Sequence, residues 1–445
     1  MRFFCLVTIL TAASAFQAPK VHNLLKTSQH SSSVSSSTTT LCVNTIDIAE
    51  NAPRDVQTMV EWADNCGVQK AEGFQLTSDD EYGLDVYAMT NQDLPANSPV
   101  LFVPEGMILS SNKAVEELRS DEMESAEKII CGVNAESELR QYYLMLKILV
   151  EYEKGQDSPW FPWLNSLPRY YSNAASMTPF CYQCLPSLMR KLAMEERSNM
   201  NHLMVRQVPF LSVETRGNEA LWAWAYQIVY TRSFEIGDDG DLRIVPMGDY
   251  FNHGSNYNEV EFACDEQGNF FAQTTYDVPA GSPLRMSYGD PTNPSFLFAR
   301  YGFLDESSPA TFCKIFPPHI NKDMEDLGYA QNRMLFYKDT GDVSPEVWDI
   351  LLYQFLSSTK IGDRRALMKA HMEGDWEAKQ ALHQEYYPKT SALLLEHIDT
   401  FIDQLDRLSA KGDGKDVSEH PRLPLIMKHN EFVRNTFLAV KNNFF

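Results

Sequence analysis

The sequence predicts an α+β fold in which one β domain is interrupted by a helical insertion and followed by an all-α tail. Three features of the 445-residue chain carry that prediction. Short β-type runs fall in two blocks, at residues 84–103 and 242–288. The residues between them, 111–230, have helical periodicity, and helical stripes dominate beyond residue 315. Two β blocks this far apart form one compact domain only when the helical segment is an insertion between them.

Taken in order, Val56, Met59, Val60 and Ala63 recur at helical spacing, and Gly67 supplies the stop. Residues 84–88 and 100–103 read as strands, with Leu94-Pro95-Ala96-Asn97 as a turn between them. Leu139, Tyr142, Tyr143, Leu146, Leu149 and Val150 form one apolar stripe, the core face of a helix. Residues 220–230 are a second apolar helix, rich in Trp and Tyr. Strand patterns return as LRIVP, EVEFAC, NFFAQTT and PLRMSYG, and Asp265-Glu266-Gln267-Gly268-Asn269 is a hairpin turn. A short helix follows, with Asn293 as cap, Pro294 at its first position and Gly302 at its stop. Residues 347–356 and 393–405 carry the clearest stripes of the tail.

Composition narrows the function. With 44% hydrophobic and 12% aromatic residues the chain can build sizeable cores. A formal net charge of −22 makes it a poor match for nucleic-acid phosphates and a good one for a basic partner segment. No run in the body of the protein approaches the roughly 18 apolar residues of a membrane span. The N-terminus differs. Met1-Arg2 precede an apolar run from Phe3 to Ala13, and Ala13-Ser14-Ala15 is a small-residue cleavage site. Residues 16–41 contain no acidic residue and end in a Ser/Thr-rich tract, the composition of a transit peptide. The join, ASAFQAP, resembles the bipartite presequence of algae with complex plastids. A signal peptide over 1–15 and a transit or disordered segment over 16–44 are therefore expected, with delivery to the chloroplast stroma; the secretory pathway is the alternative. Of eight cysteines, only Cys181 and Cys184 form a C-x-x-C, and no second pair follows to complete a four-ligand zinc site. Reduced, partly buried thiols and no metal are expected.

Four segments carry chemistry. In Pro246-Met247-Gly248-Asp249-Tyr250-Phe251-Asn252-His253 an apolar run ends in Asp249 and then Asn252-His253. The segment reads either as a strand ending in a polar turn or as the floor of a site where backbone and side-chain polar groups meet a ligand, and an Asn amide offers a donor and an acceptor on one group. Thr231-Arg232-Ser233-Phe234 lies just upstream. In Asp80-Glu81-Tyr82-Gly83-Leu84, Gly83 lets the backbone approach a ligand closely. Tyr288-Gly289-Asp290 is followed, across the short helix, by Tyr301-Gly302-Phe303.

In this order and near this spacing the four segments resemble those of the SET-domain protein methyltransferases. The likeness is to the plant Rubisco large-subunit lysine methyltransferase class, with a split SET domain and a C-terminal Rubisco-substrate-binding-type helical domain. It covers residues 55–445. The resemblance implies a SET β-fold of short sheets in parts 55–110 and 231–312, a helical insertion over 111–230, and an all-α substrate-binding domain over 313–445. It implies S-adenosyl-L-methionine as cofactor, held by Asp80, Tyr82, Gly83, Arg232, Asp249, Asn252, His253 and Tyr288. Tyr288 and Tyr301 would be catalytic, and Arg232, Tyr257 and Tyr301 would meet the acceptor. The chain departs from the pattern at Glu81, where the family has a glycine, and at Asp80, where it has a glutamate. Lysine-specific relatives also carry a tyrosine shortly after Asn-His; Tyr257, or a position within 259–262, is its counterpart here. The three-cysteine zinc motif of many histone-type relatives is absent after Tyr301. The activity implied is methylation of a lysine in a protein substrate that offers a basic segment, by a monomer. A histidine acceptor, or an inactive scaffold that binds a partner through the helical domain, are the alternatives.

Overall fold

A computed structural model describes residues 46–79, 85–202, 208–236, 240–255, 258–290, 292 and 294–445. The expected presequence, the 80–84 loop, Tyr257 and the Asn293 cap lie outside the described residues. The chain divides into two units. One comprises Met1–Tyr170, Met204–His253 and Asn258–Met286; the other comprises Tyr171–Leu203, Gly254–Tyr257 and Ser287–Phe445.

In the first unit the two β blocks join, as the insertion architecture requires. Pro99–Val103 lies antiparallel to Phe270–Thr274, with Phe270 opposite Val103 and Phe271 opposite Phe102, and the strands Gln69–Lys70 and Val260–Cys264 flank the pair. Phe270, Ala272 and Thr274 are buried and alternate with half-buried neighbours, the period of a sheet with one core face. The hairpin turn forms as predicted: Asp265 Oδ1 accepts the backbone amides of Gln267 and Asn269, and Gly268 takes φ +83. A second sheet sets Leu109–Ser110 and Ser233–Ile236 on either side of Asp241–Ile244. Buried Asp241 pins the start of the insertion to the strand that follows it. Its carboxylate accepts Ser110 Oγ at 2.9 Å, Ser111 Oγ at 2.9 Å and the Asn112 amide at 3.1 Å. Burial alone would raise this carboxyl, but those donors and Arg243 hold it below its ordinary value.

Helices of the insertion form where their apolar stripes predict. Leu139–Lys154 buries Tyr142, Tyr143, Leu146 and Leu149, and Glu219–Arg232 is capped by Asn218 Oδ1 on the Leu221 amide. Several strands of this unit escape the sequence reading, among them the two-residue Gln69–Lys70 and Leu109–Ser110. Phe74–Ser78 pairs with Val86–Thr90, and Ser233–Ile236 begins immediately after Arg232, where the helix pattern gave no sign of a switch.

The second unit is built around a helical core of Ile350, Leu352, Leu394, Ile398, Leu405 and Phe437, drawn from Pro345–Thr359, Trp376–Gly412 and Leu423–Phe444. The tail is not wholly helical. Ala310–Phe312 and Leu335–Tyr337 form a two-stranded antiparallel sheet, and runs of three residues are too short for periodicity to reveal. Among the described residues no helix is long and apolar enough to cross a membrane.

Candidate active site

The segment that follows Asp241–Ile244 turns inward at Met247, whose φ of +72 is uncommon for a residue with a side chain. The turn places Asp249 in the interior, its side chain fully buried. Asp249 Oδ2 accepts Arg232 Nη1 at 3.0 Å and Trp163 Nε1 at 3.2 Å, and the same Arg232 nitrogen donates to the Asp249 carbonyl at 2.8 Å. Burial pushes the Asp249 carboxyl upward, against the pull of the Arg232 charge and the indole N–H. Asp249 Oδ1 has no hydrogen-bond partner among the described residues. Tyr250 completes the brace: its ring lies 5.3 Å from the Arg232 guanidinium, and its hydroxyl donates to Ser166 Oγ at 2.8 Å. Arg54 Nε donates to the Ser166 carbonyl at 2.7 Å, so the opening helix is tied to the same point.

Three residues beyond Asp249, Asn252–His253 is a short strand lying parallel to Arg285–Met286. Both residues are half-buried, and the Asn252 amide makes no hydrogen bond to a described residue. Its donor and acceptor face no internal demand, unlike those of the braced residues before it. Arg285 is held by Glu259, which is 4% exposed. Glu259 Oε1 accepts Arg285 Nη2 at 2.6 Å and Tyr276 Oη at 3.0 Å, and Oε2 accepts Arg285 Nε at 3.0 Å and its backbone amide at 3.1 Å. Of the positions considered as an amine-binding substitute, those within 259–262 are engaged elsewhere, and Tyr257 lies outside the described residues. Glu259 is committed to Arg285, Val260 is buried, Glu261 accepts Gln273, and Phe262 stacks on Phe270.

In the second unit Tyr288 and Tyr301 form an aromatic cluster. Their ring centroids are 4.7 Å apart and tilted by 43°, Phe303 lies 6.2 Å from Tyr301, and the Arg300 guanidinium lies 5.4 Å from the Tyr301 ring. Tyr301 ends the helix Pro294–Tyr301, and Gly302 turns the chain at φ +78. Under the helix, Ser295 Oγ lies 3.2 Å from His429 Nε2, and buried Lys314 Nζ is 3.5 Å from the same hydroxyl. Burial lowers the Lys314 ammonium to about 7, and burial together with Lys314 lowers His429 to about 3.

Of the expected site residues, Arg232, Asp249, Asn252 and His253 thus fall in the first unit, and Arg232 and Asp249 are in direct contact. Tyr288 and Tyr301 fall in the second and contact each other. Asp80, Tyr82, Gly83 and Tyr257 are outside the described residues. Arg232, expected at cofactor and substrate, spends Nη1 on Asp249. Sequence reasoning missed Trp163, Ser166 and Arg54, and it offered Glu259 only among the possible amine-binding positions rather than as the partner of Arg285. No spacing marks them: Trp163 meets Asp249 across 86 residues of chain. A cavity of 510 Å³ elsewhere in the first unit, lined by Glu117, Arg119, Lys154 and Phe210 among others, includes none of the expected residues.

The fold has solved relatives. A crystal structure of the SET domain of LSMT bound to lysine and AdoHcy is 16% identical, with 88% of this chain and 91% of that chain covered at a TM-score of 0.58. A structure of Rubisco LSMT bound to AdoMet is 17% identical, with 88% and 92% covered at 0.55. Rubisco LSMT bound to sinefungin and monomethyllysine is 15% identical, with 88% and 91% covered at 0.56. No protein-family model matches the chain, and none of the curated proteins does. The chain has the SET-domain fold of these structures over most of its length.

Proposed function

We propose that this chain is an S-adenosyl-L-methionine-dependent protein N-methyltransferase acting on a lysine side chain. The observation that carries the reading is the half-buried Asn252 amide, which makes no bond to a described residue although Asp249 and Tyr250 just before it are held by Arg232, Trp163 and Ser166. The fold supports it, since solved structures that share it hold AdoHcy with lysine, AdoMet, or sinefungin with monomethyllysine.

An adenine edge fits the backbone of Asn252–His253, and the amino-acid end of the cofactor fits the Asn252 amide, because each offers paired donor and acceptor groups. When bound, S-adenosylmethionine supplies a methyl group already activated on a sulfonium. Asp249, Arg232 and Trp163 do not touch a reacting atom in this reading; they hold Asn252 still, and pre-organisation is most of what a displacement on an activated methyl asks of a protein. Tyr288, two residues beyond the Arg285–Met286 strand, would orient the acceptor nitrogen through its hydroxyl, and Tyr301 would shield it from water. A lysine has an ordinary pKa near 10.4 and must lose its proton to attack. Aromatic surroundings lower that value by desolvation, so Tyr288, Tyr301 and Phe303 favour the neutral amine.

The acidic chain favours a basic protein segment as substrate. The composition of residues 1–44 supports a plastid destination, which a fluorescent fusion of that segment would test. The activity is tested by incubating the full chain with S-adenosylmethionine labelled in its methyl group and a plastid stromal extract, then hydrolysing the protein. Labelled methyllysine is expected. Labelled methylhistidine without methyllysine would overturn the acceptor, and an absence of cofactor binding in calorimetry would favour a scaffold.

A further inference from the structure

We infer that Asn173 is a positioning residue for Tyr301, fixing that side chain through the backbone on both sides of it. The inference rests on the reading that Tyr301 meets the acceptor amine. Both residues belong to the second unit. Asn173 is fully buried, and its Nδ2 donates at 3.2 Å to the carbonyl of Arg300, the residue before Tyr301. On the other side, Gly302 passes so close to the Ser172–Asn173 backbone that a Cβ there would sit 2.3 Å from the Asn173 nitrogen and 2.5 Å from the Ser172 carbonyl carbon. Only glycine fits that approach, and its φ of +78 favours glycine as well. One residue thus grips the peptide units that precede and follow Tyr301.

The gripping loop is itself fixed. Ser176 Oγ donates to the carbonyls of Tyr171 at 2.8 Å and Asn173 at 2.7 Å. Buried Arg422 donates from Nε to the Tyr171 carbonyl at 2.9 Å, and Arg422 immediately precedes the helix Leu423–Phe444. The last helix therefore holds the loop that holds Tyr301. Packing alone does not account for the asparagine. Its Oδ1 is buried without a hydrogen-bond partner among the described residues, a cost an apolar residue of similar size would avoid, so what the asparagine supplies is the Nδ2 donor aimed at Arg300. Tyr301 in turn lies against Tyr288 at 4.7 Å. A displaced Tyr301 would misplace the acceptor while leaving the Asn252 region of the first unit intact.

Asn173→Asp keeps the shape and removes the donor. The full-length variant is compared with wild type in labelled methyl transfer to the stromal extract and in calorimetric binding of S-adenosylmethionine. Cofactor affinity and acceptor KM should stay within about twofold, while kcat falls about 10- to 100-fold, the penalty of a misplacement near one ångström at a reacting centre. The ratio of mono-, di- and trimethyllysine in the hydrolysate should shift with it. Ser176→Ala removes the hydroxyl bonds to the Tyr171 and Asn173 carbonyls and so loosens the loop while keeping the Asn173 side chain; it should give the same pattern with a loss of roughly 3- to 10-fold, and it replaces the first variant if that one does not fold. Wild-type kcat and product ratio in the folded variant would overturn the inference, as would a parallel loss of cofactor affinity, which a merely structural role produces. A wild-type chain that neither binds S-adenosylmethionine nor transfers a methyl group would overturn the functional reading itself, and this inference with it.

Discussion

Arg232 and Asp249 are joined twice through one nitrogen: Nη1 of the arginine donates to the aspartate's carboxylate at 3.0 Å and to its backbone carbonyl at 2.8 Å. The arginine is the last residue of a helix and the aspartate lies in the turn before Asn252. The pair therefore fixes where the proposed cofactor strand begins.

Removing the arginine leaves a buried carboxylate without its charge partner. Arg232→Met should destabilise the protein by about 3–5 kcal/mol in urea unfolding. The loss should depend on pH. Asp249 already sits above its ordinary value, and with Arg232 gone burial is opposed only by the Trp163 indole and a backbone N–H, so its folded-state pKa rises further. The folded chain then binds the extra proton, so stability is retained at low pH and lost as pH rises through the folded value. Urea midpoints of the variant should be closer to wild type at pH 5 than at pH 8; the reverse order would contradict the pairing.

Lys314 gives the opposite test, a substitution that stabilises. Its ammonium, lowered to about 7 by burial, faces the hydroxyls of Ser295 and Thr311, with no carboxylate of the described residues in contact. An unfolded lysine keeps its proton to about pH 10.4, so between pH 7 and that value the unfolded state binds more protons and stability climbs with pH. Below pH 7 both states are protonated and the burial cost is present in full. Lys314→Met should raise stability by up to about 4 kcal/mol at pH 7 and flatten the rise above it. His429, lowered to about 3, works in the same direction over pH 3–6.5. Because Lys314 contributes to that depression, the acid limb should also become shallower in the variant. Thermal unfolding across pH 4–10 reads both effects.

Asn252→Ala removes the one polar side chain of the segment that has no internal partner among the described residues, so it should fold with wild-type stability. Its loss should appear in S-adenosylmethionine affinity, weakened by about 1–2 kcal/mol, or roughly 5- to 30-fold in Kd by calorimetry. Unchanged affinity would move the cofactor elsewhere.

Much of this was legible in the sequence because it is local. The Asn-His pair, the two tyrosines and the Gly302 stop are read from neighbouring residues, and the two β blocks announced their own insertion. Contacts that close over long stretches of chain were not legible. Asn173 meets Arg300 across 127 residues, and Ser166 meets Tyr250 across 84. Residue types as common as Asn and Ser give no signal until the backbone brings them together. The strand Ser233–Ile236 was missed for a different reason: its helix runs up to Arg232 without a glycine or proline, and the switch comes from pairing with Asp241–Ile244 rather than from local propensity.

The central claim is that this fold transfers a methyl group to lysine with Tyr288 at the acceptor. The most direct test measures labelled methyl transfer and S-adenosylmethionine binding side by side for wild type and Tyr288→Phe. The account predicts methyllysine from the wild type, and a variant that folds and binds cofactor normally but loses about 100-fold or more in kcat, the scale of a lost transition-state contact. Wild-type turnover in Tyr288→Phe, or no methyl transfer by the wild type to any lysine, would contradict it.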